Sequence, residues 1–229
     1  MTPQELKIEA AREALREVRS GMTLGLGTGS TSVEFVKLLG AAVARGELTR
    51  LRCTTTSEKT EQQARSLGIP TFPLAEIVPL DLAVDGADEI DARLRLIKGR
   101  GGALLREKIV EQAALRFLVI VDESKIVERL GVGLLPVEVT PFGCEVLLKR
   151  LAEMSLSPVL RLQDGSPLIT DEGHRIVDVR IPEGTDIADV VARIRDHAGV
   201  VETGFFPHEA SEAIVAAATG VRRMKRSEN

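Results

Sequence analysis

The chain has no tryptophan, no tyrosine and only six phenylalanines. Few rings are therefore present on which unpaired bases could stack, and single-stranded nucleic-acid binding is disfavoured. Its two cysteines, Cys53 and Cys144, form no C-x-x-C pair and have no histidine nearby. A disulfide framework, a zinc site and a redox motif all lack support, and core thiols are expected. The three histidines, His174, His197 and His208, fall after the middle of the chain, away from its glycine-rich and acidic segments, which argues against a histidine triad or a histidine-based metal centre. Apolar runs such as Phe117 to Val121 are far too short to span a bilayer, and the N-terminal turns are acidic, so neither a membrane span nor a leader is expected and the protein reads as cytoplasmic. Charged residues make up 28% and the net charge is −4. No basic field draws the chain to nucleic acid or anionic membrane, and a small soluble ligand is the expected partner.

At 229 residues the length suits one large domain or one domain carrying a smaller insertion. Thr2-Pro3-Gln4-Glu5 combines an N-cap residue, proline at the first helical position and glutamate at the third, which predicts a capping box and a helix toward Val18. Met22 to Leu26 reads as a buried strand, Gly27 to Ser32 as a tight turn, and Val33 to Leu39 as the opening of a helix. Strands at Leu51 to Thr54, Asp81 to Val84 and Phe117 to Val121, with a helix over Glu58 to Leu67, continue the alternation of a parallel, doubly wound α/β sheet. After Gly131 the texture changes. A helix over Cys144 to Met154, short strands around Val159 to Leu162, Leu168 to Thr170 and Arg175 to Val179, a helix over Asp186 to Arg195 and a strand at Val200 to Thr203 suggest a β-α-β-β-α-β unit of ferredoxin type. Ala213 to Ala218 is short and apolar, and periodicity leaves it open between strand and buried helix. The tail RRMKRSEN is expected to be frayed and solvated.

Three segments carry candidate chemistry. GLGTGSTS, from Gly25 to Ser32, sits where a strand feeds a helix and reads either as a glycine turn that packs a helix on a sheet or as an anion site, and the hydroxyls of Thr28, Ser30 and Thr31 favour phosphate. It lacks the Walker ending, Ser32 stands where the dinucleotide fingerprint wants glycine, and the strand ending Cys53-Thr54-Thr55-Thr56-Ser57 has no ribose-binding acid, so NAD is disfavoured. DGADEID, from Asp85 to Asp91, does not match calcium-loop spacing. It reads either as a solvated acidic turn or as a site, and Asp85 lies at the carboxyl end of an apolar strand, where open α/β sheets place ligands. In KGRGGALLREK, from Lys98 to Lys108, a helix from Ala103 to Val110 begins at a glycine turn. Glu107 is then either an ordinary surface acid or a general base with Lys98 close by to hold negative charge, and spacing leaves the two open. Carboxylates that move protons, an ammonium that holds an oxyanion and glycines that let amides approach a ligand suit sugar chemistry without metal or cofactor.

In their order and spacing, GLGTGSTS, DGADEID and KGRGGALLREK resemble the A-type ribose-5-phosphate isomerase family, as do VIVDESK (Val119 to Lys125), LPVEV (Leu135 to Val139) and GVVETGFF (Gly199 to Phe206). The resemblance implies an aldose–ketose isomerase of the non-oxidative pentose phosphate pathway, interconverting ribose 5-phosphate and ribulose 5-phosphate with no metal and no cofactor. It implies that Thr28, Gly29, Ser30 and Thr31 hold the sugar phosphate, that Asp85, Gly86, Ala87, Asp88, Lys98, Gly99, Arg100 and Gly101 line the site, and that Lys125 also touches the ligand. Glu107 is the implied proton acceptor, with Asp85, Asp88 and Lys98 completing the catalytic set. The implied fold is a Rossmann-like, mostly parallel doubly wound sheet (residues 1–130 and 206–229) with a ferredoxin-like α+β lid (131–205), assembled as a homodimer or homotetramer. The last apolar stretch would then rejoin the large sheet. Rival readings are a CoA-transferase-like enzyme with a glutamate nucleophile and a sugar-phosphate sensor module on a related fold.

Overall fold

The first helix shows how local chemistry sets an element. In the computed structural model, which describes residues 1–226, helix α1 (Pro3–Leu15) opens with the Glu5 amide donating to Thr2 Oγ1 at 3.2 Å and the Thr2 amide donating to Glu5 Oε2 at 2.7 Å. This capping box satisfies N–H groups that a helix end otherwise leaves unpaired, and Pro3 needs no acceptor. There follow β1 (Thr23–Leu26), α2 (Ser30–Ala44), β2 (Arg52–Thr55), α3 (Glu58–Ser66), β3 (Leu82–Asp85), β4 (Glu89–Ile90), β5 (Leu96–Ile97), α4 (Leu104–Gln112) and β6 (Phe117–Asp122). Next come β7 (Leu134–Val139), α5 (Cys144–Glu153), β8 (Val159–Leu160), β9 (Leu162–Gln163), β10 (Ser166–Pro167), β11 (Arg175–Arg180) and α6 (Ile187–Arg195). The chain closes with β12 (Val200–Thr203), β13 (Phe205–Phe206), β14 (Glu212–Ala217) and β15 (Gly220–Lys225).

The main sheet has six strands in the order β15-β14-β6-β3-β1-β2, parallel except for the edge pair of β14 and β15. A parallel strand covered on both faces is apolar at successive positions. In β6, Leu118 and Ile120 pack with Leu6, Ala10, Phe35 and Leu39 of α1 and α2, while Phe117, Val119 and Val121 pack on the other face with Leu94, Leu96 and Phe206. The chain runs from β1 out to β2 and then returns to lay β3 on the other flank of β1. The loops after β1 and β3 therefore part at the switch point, where an open sheet leaves a crevice for ligand. Those loops are the glycine-rich and acidic segments.

A second, antiparallel sheet in the order β12-β7-β11-β8 is covered by α5 and α6 around a core of its own, including Leu135, Val137, Leu147, Leu151, Val177, Val179, Val190 and Ile194. With β7, β8, β11 and β12 in chain order, this is the ferredoxin-type unit expected. A small sheet in the order β13-β5-β4 pairs Phe205 with Ile97. The chain leaving the second sheet thereby runs beside Lys98, whose amide donates to the Gly204 carbonyl at 2.9 Å. Cys53 and Cys144 are buried in the two cores. Among the described residues no helix is long and apolar enough to cross a membrane.

The structure revises several element boundaries. Helix α2 begins at Ser30, not Val33, because Gly29 (φ 131°, ψ 172°) turns the chain straight into the helix; residues 30–32 are its first turn and not a loop. Leu168 to Thr170 is not a strand. Asp164 and Gly165, at φ 52° and 82°, make a tight turn that pairs Ser166 and Pro167 with Gln163 and Leu162, leaving Ile169 a single bridge to Arg175. Nor is RRMKRSEN frayed along its length. Arg222 to Lys225 belong to β15, and Arg223 reaches Glu13 of α1 and Glu17 just beyond it at 2.9 and 2.8 Å; residues 227–229 lie outside the described residues. The undecided apolar stretch is strand β14, parallel to β6.

A Cβ at Gly204 would overlap the Lys98 carbonyl and press on Pro136. Gly204→Ala is therefore expected to cost about 2 kcal/mol of unfolding free energy, read by urea denaturation; unchanged stability would show that this junction yields freely.

Candidate active site

Strand β3 ends at Asp85, which is 1% exposed. Its Oδ1 accepts from the Ser32 hydroxyl and from the Gly86 amide, each at 2.7 Å. Its Oδ2 lies 2.7 Å from Lys98 Nζ, a charge contact without the alignment of a hydrogen bond. Gly27 makes this possible, since a Cβ there would overlap the Asp85 carboxylate. The first turn of α2 and the tip of β3 thus meet through a glycine needed for close approach.

Lys98, just after β5, is 2% exposed. Its Nζ donates to the Gly86 carbonyl at 2.7 Å and lies 3.0 Å from Glu111 Oε1 and 3.8 Å from Glu107 Oε2. The Phe117 and Phe206 rings stand 5.6 and 5.7 Å away. Glu107 and Glu111 are four residues apart on α4, the spacing that puts two side chains on one helix face. Burial works against the ammonium, but Asp85, Glu107 and Glu111 together outweigh it and raise its proton affinity above that of an ordinary lysine. For Glu107, burial pushes the carboxyl up, Lys98 pulls it part of the way back, and Asp85 and Asp88 push again, leaving it at about 8. Burial likewise lifts Glu111 well above the carboxylate range against the pull of Lys98.

A cavity of about 70 Å³ opens over this cluster, lined by residues 28–31, 86–88 and 98–101 and by Glu107. No side chain caps the start of α2, so the amides of its first turn and the positive end of its dipole are open to an anion. Thr28 turns its hydroxyl toward Thr56, Ser57 and Thr60 at 2.7, 2.7 and 3.0 Å, which ties the loop to the turn after β2 and to α3. Asp88 accepts from the Arg100 amide at 2.9 Å, joining the acidic turn to the glycine turn, while the Arg100 side chain is exposed. Gly99, at φ 104°, supplies the left-handed backbone of that turn. From the second sheet, Arg161 Nη1 donates to the Gly99 and Arg100 carbonyls at 2.7 and 3.0 Å, and its Nε is held by Asp178 at 2.8 Å.

The structure therefore brings together Thr28, Gly29, Ser30, Thr31, Gly86, Ala87, Asp88, Lys98, Gly99, Arg100, Gly101 and Glu107, with Asp85 behind Lys98. Lys125 is not among the lining residues; it ends a single helical turn after β6. In the acidic segment, Glu89 and Asp91 serve the fold. Glu89 accepts from the Gly131 and Gly133 amides at 2.7 and 2.5 Å, and Asp91 from the Arg93 and Arg95 amides at 2.9 Å. Sequence reading missed Glu111, Ser32, Thr56, Ser57, Thr60 and Arg161. Of these, Glu111 alone had a signal, its spacing from Glu107. A larger cleft of about 480 Å³ lies beside α3, but there Glu61 pairs with Arg65 and Glu172 with Arg106. Among the described residues no group of three or more His, Cys, Asp or Glu side chains is placed to hold a metal ion.

Residues 52–220, which include Asp85, Lys98 and Glu107, match the family model described as ribose 5-phosphate isomerase A (phosphoriboisomerase A). The chain belongs to the ribose 5-phosphate isomerase A family. Similarity to this family extends over the glycine-rich loop as well: the ribose-5-phosphate isomerase A of Rhodopseudomonas palustris (strain BisB5) is 48% identical over 237 residues, covering 99% of this chain and 100% of that protein. The solved ribose 5-phosphate isomerase A of Methanocaldococcus jannaschii has a TM-score of 0.91 at 39% identity, covering 98% of this chain and 100% of that one. A D-ribose-5-phosphate isomerase solved in complex with phospho-erythronic acid has a TM-score of 0.94 at 38% identity, covering 99% of this chain and 100% of that one.

With Glu107 at about 8 in the folded protein against an ordinary 4.5, the folded state binds more protons than the unfolded chain between those values, and this group makes stability fall as pH rises across them. Glu107→Gln removes one proton's worth of that slope, about 1.4 kcal/mol per pH unit. Its stability relative to the native protein is expected to improve steadily from about pH 4 to about pH 8 in urea titrations, and an unchanged slope would contradict the assignment.

Proposed function

We propose that this protein interconverts D-ribose 5-phosphate and D-ribulose 5-phosphate through a cis-enediolate, with Glu107 as the base. The observation that carries the reading is a buried carboxyl poised at about 8 that faces a cavity between an uncapped helix N-terminus and a buried ammonium. A base poised near the working pH takes up and gives back a proton with little penalty in either direction.

The phosphate seats on the amides and hydroxyls of residues 29–31, where the α2 dipole favours negative charge. Lys125 adds positive charge from the turn after β6. Asp85, with Lys98 or Asp88, passes the protons of ring opening. In the open aldose, Glu107 removes the C2 proton, the C–H electron pair becomes the C1–C2 double bond, and negative charge gathers on O1, where Lys98 stabilises it. Asp88 carries the hydroxyl proton from O2 to O1, and Glu107 returns its proton to C1 on the same face. Every proton has an acceptor among these side chains, so the reaction as written calls on neither metal nor cofactor.

Residues 131–205 act as a lid in this reading, supported by their separate core and by the grip of Arg161 on the Gly99 and Arg100 carbonyls. Assembly as a homodimer or homotetramer is inferred, supported by the exposed apolar side chains of Phe142, Val146 and Val159. The cytoplasm is the inferred location, since a phosphorylated sugar does not cross a bilayer unaided.

The direct test is ribose 5-phosphate with EDTA in deuterated water, followed by NMR for ribulose 5-phosphate and for deuterium at C1. The native protein is expected to form product and Glu107→Gln to lose about 10³-fold or more in turnover with ligand affinity kept. Near-native turnover in that variant would remove Glu107 as the base. The native kcat/KM is also expected to rise with pH through about 8, because the free enzyme's base must be ionised; a flat profile there would count against it.

A further inference from the structure

Glu111 is the member of the Lys98 cluster that the reaction above leaves without a part, and its side chain is 0% exposed. Asp85 comes to the cluster from β3, Lys98 from the end of β5, and Glu107 and Glu111 from α4. The walls from β6 and β13 are the rings of Phe117 and Phe206. Lys108, on the same helix, is occupied by Glu202 and by the carbonyls of Thr203 and Phe205, and at the mouth of the site Asp88 acts on Glu107 and faces Arg100. One ammonium neutralises one carboxylate. Further negative charges in this shell would stand uncompensated, which a marginally stable fold does not tolerate.

The donors around each carboxyl decide which of them keeps its charge. Asp85 has the Ser32 hydroxyl and the Gly86 amide besides Lys98. Glu107 opens onto the cavity. Glu111 has Lys98 alone, neither of its oxygens has an aligned hydrogen-bond partner, and it does not line the cavity. We propose that Glu111 is a positioning residue that works as a neutral acid: its carbonyl oxygen holds Lys98 from behind, and its retained proton leaves Glu107 the one carboxyl of the cluster free to change charge. Burial, which lifts Glu111 well above the carboxylate range, supports this. Were Glu111 ionised, its charge would raise the proton affinity of Glu107 further and leave still less of the base ionised. The proposal rests on the reading of Glu107 as the base.

Infrared spectroscopy of the folded protein at neutral pH tests the protonation state without any assay of activity. In the Glu107→Gln background the base contributes no acid band, and bands from other buried acids cancel in the comparison with Glu107→Gln/Glu111→Gln. Loss of one protonated-carboxyl C=O band between the two is expected; no lost band overturns the proposal, whether or not the protein proves to be an isomerase. In kinetics, Glu111→Ala is expected to lower kcat about tenfold with KM little changed, and Glu111→Gln to recover most of that loss. Gln no better than Ala would overturn the positioning role. Should Glu111→Ala fail to fold, the infrared comparison still decides.

Discussion

The Lys98 ammonium, shut away from water, is gripped by Asp85 from β3, by the Gly86 carbonyl and by Glu107 and Glu111 from α4. Without that charge, the buried Asp85 carboxylate would lack its counter-charge inside an apolar shell, and with it strand tip, acidic turn and helix are locked into one arrangement. The features around it serve this contact. Gly27 lacks a Cβ so that Asp85 can come close, Ser32 and the Gly86 amide orient that carboxylate, and Gly204 accepts the Lys98 amide at the point where the second sheet returns to the first. The fold contributes precision and the cluster contributes the charge balance.

Two sources of positive potential border the cavity and differ in kind. The start of α2 offers backbone amides to any anion, a diffuse and structurally inexpensive attraction. Lys98 offers a full charge whose position and proton are both constrained. In the proposed reaction the first holds the phosphate end of the sugar and the second stabilises charge where bonds change. The spacing of the loops after β1 and β3 at the switch point sets the distance between them.

Much of this was legible because the relevant residues are unusual for their places. β1, β3 and β6 stand out as strands apolar on both faces, and the loops at their ends carry glycines and acids that packing alone does not call for. The capping box of α1 is readable from four residues. Other features had no local signature. β4, β5 and β13 are two residues each and exist through their partners. β15 reads as a charged tail because Arg223, which suits a protected edge strand, finds its acids on α1, just beyond it and on β14. Within DGADEID the end of the apolar strand singles out Asp85, but nothing local separates Asp88, which lines the cavity, from Glu89 and Asp91 in the framework. Arg161 touches the glycine turn from 61 residues away, a contact that only the folded second sheet creates. Glu111 shows a helical spacing from Glu107, but spacing cannot say which face of the helix is buried.

A crystal structure of this protein with phospho-erythronic acid, the ligand of a solved relative, tests the placement of the chemistry most directly. The phosphate is expected on the amides of residues 29–31 at the start of α2, with the carboxylate end between Lys98 and Glu107. A ligand bound in the reverse direction, or seated in the cleft beside α3, would contradict the account.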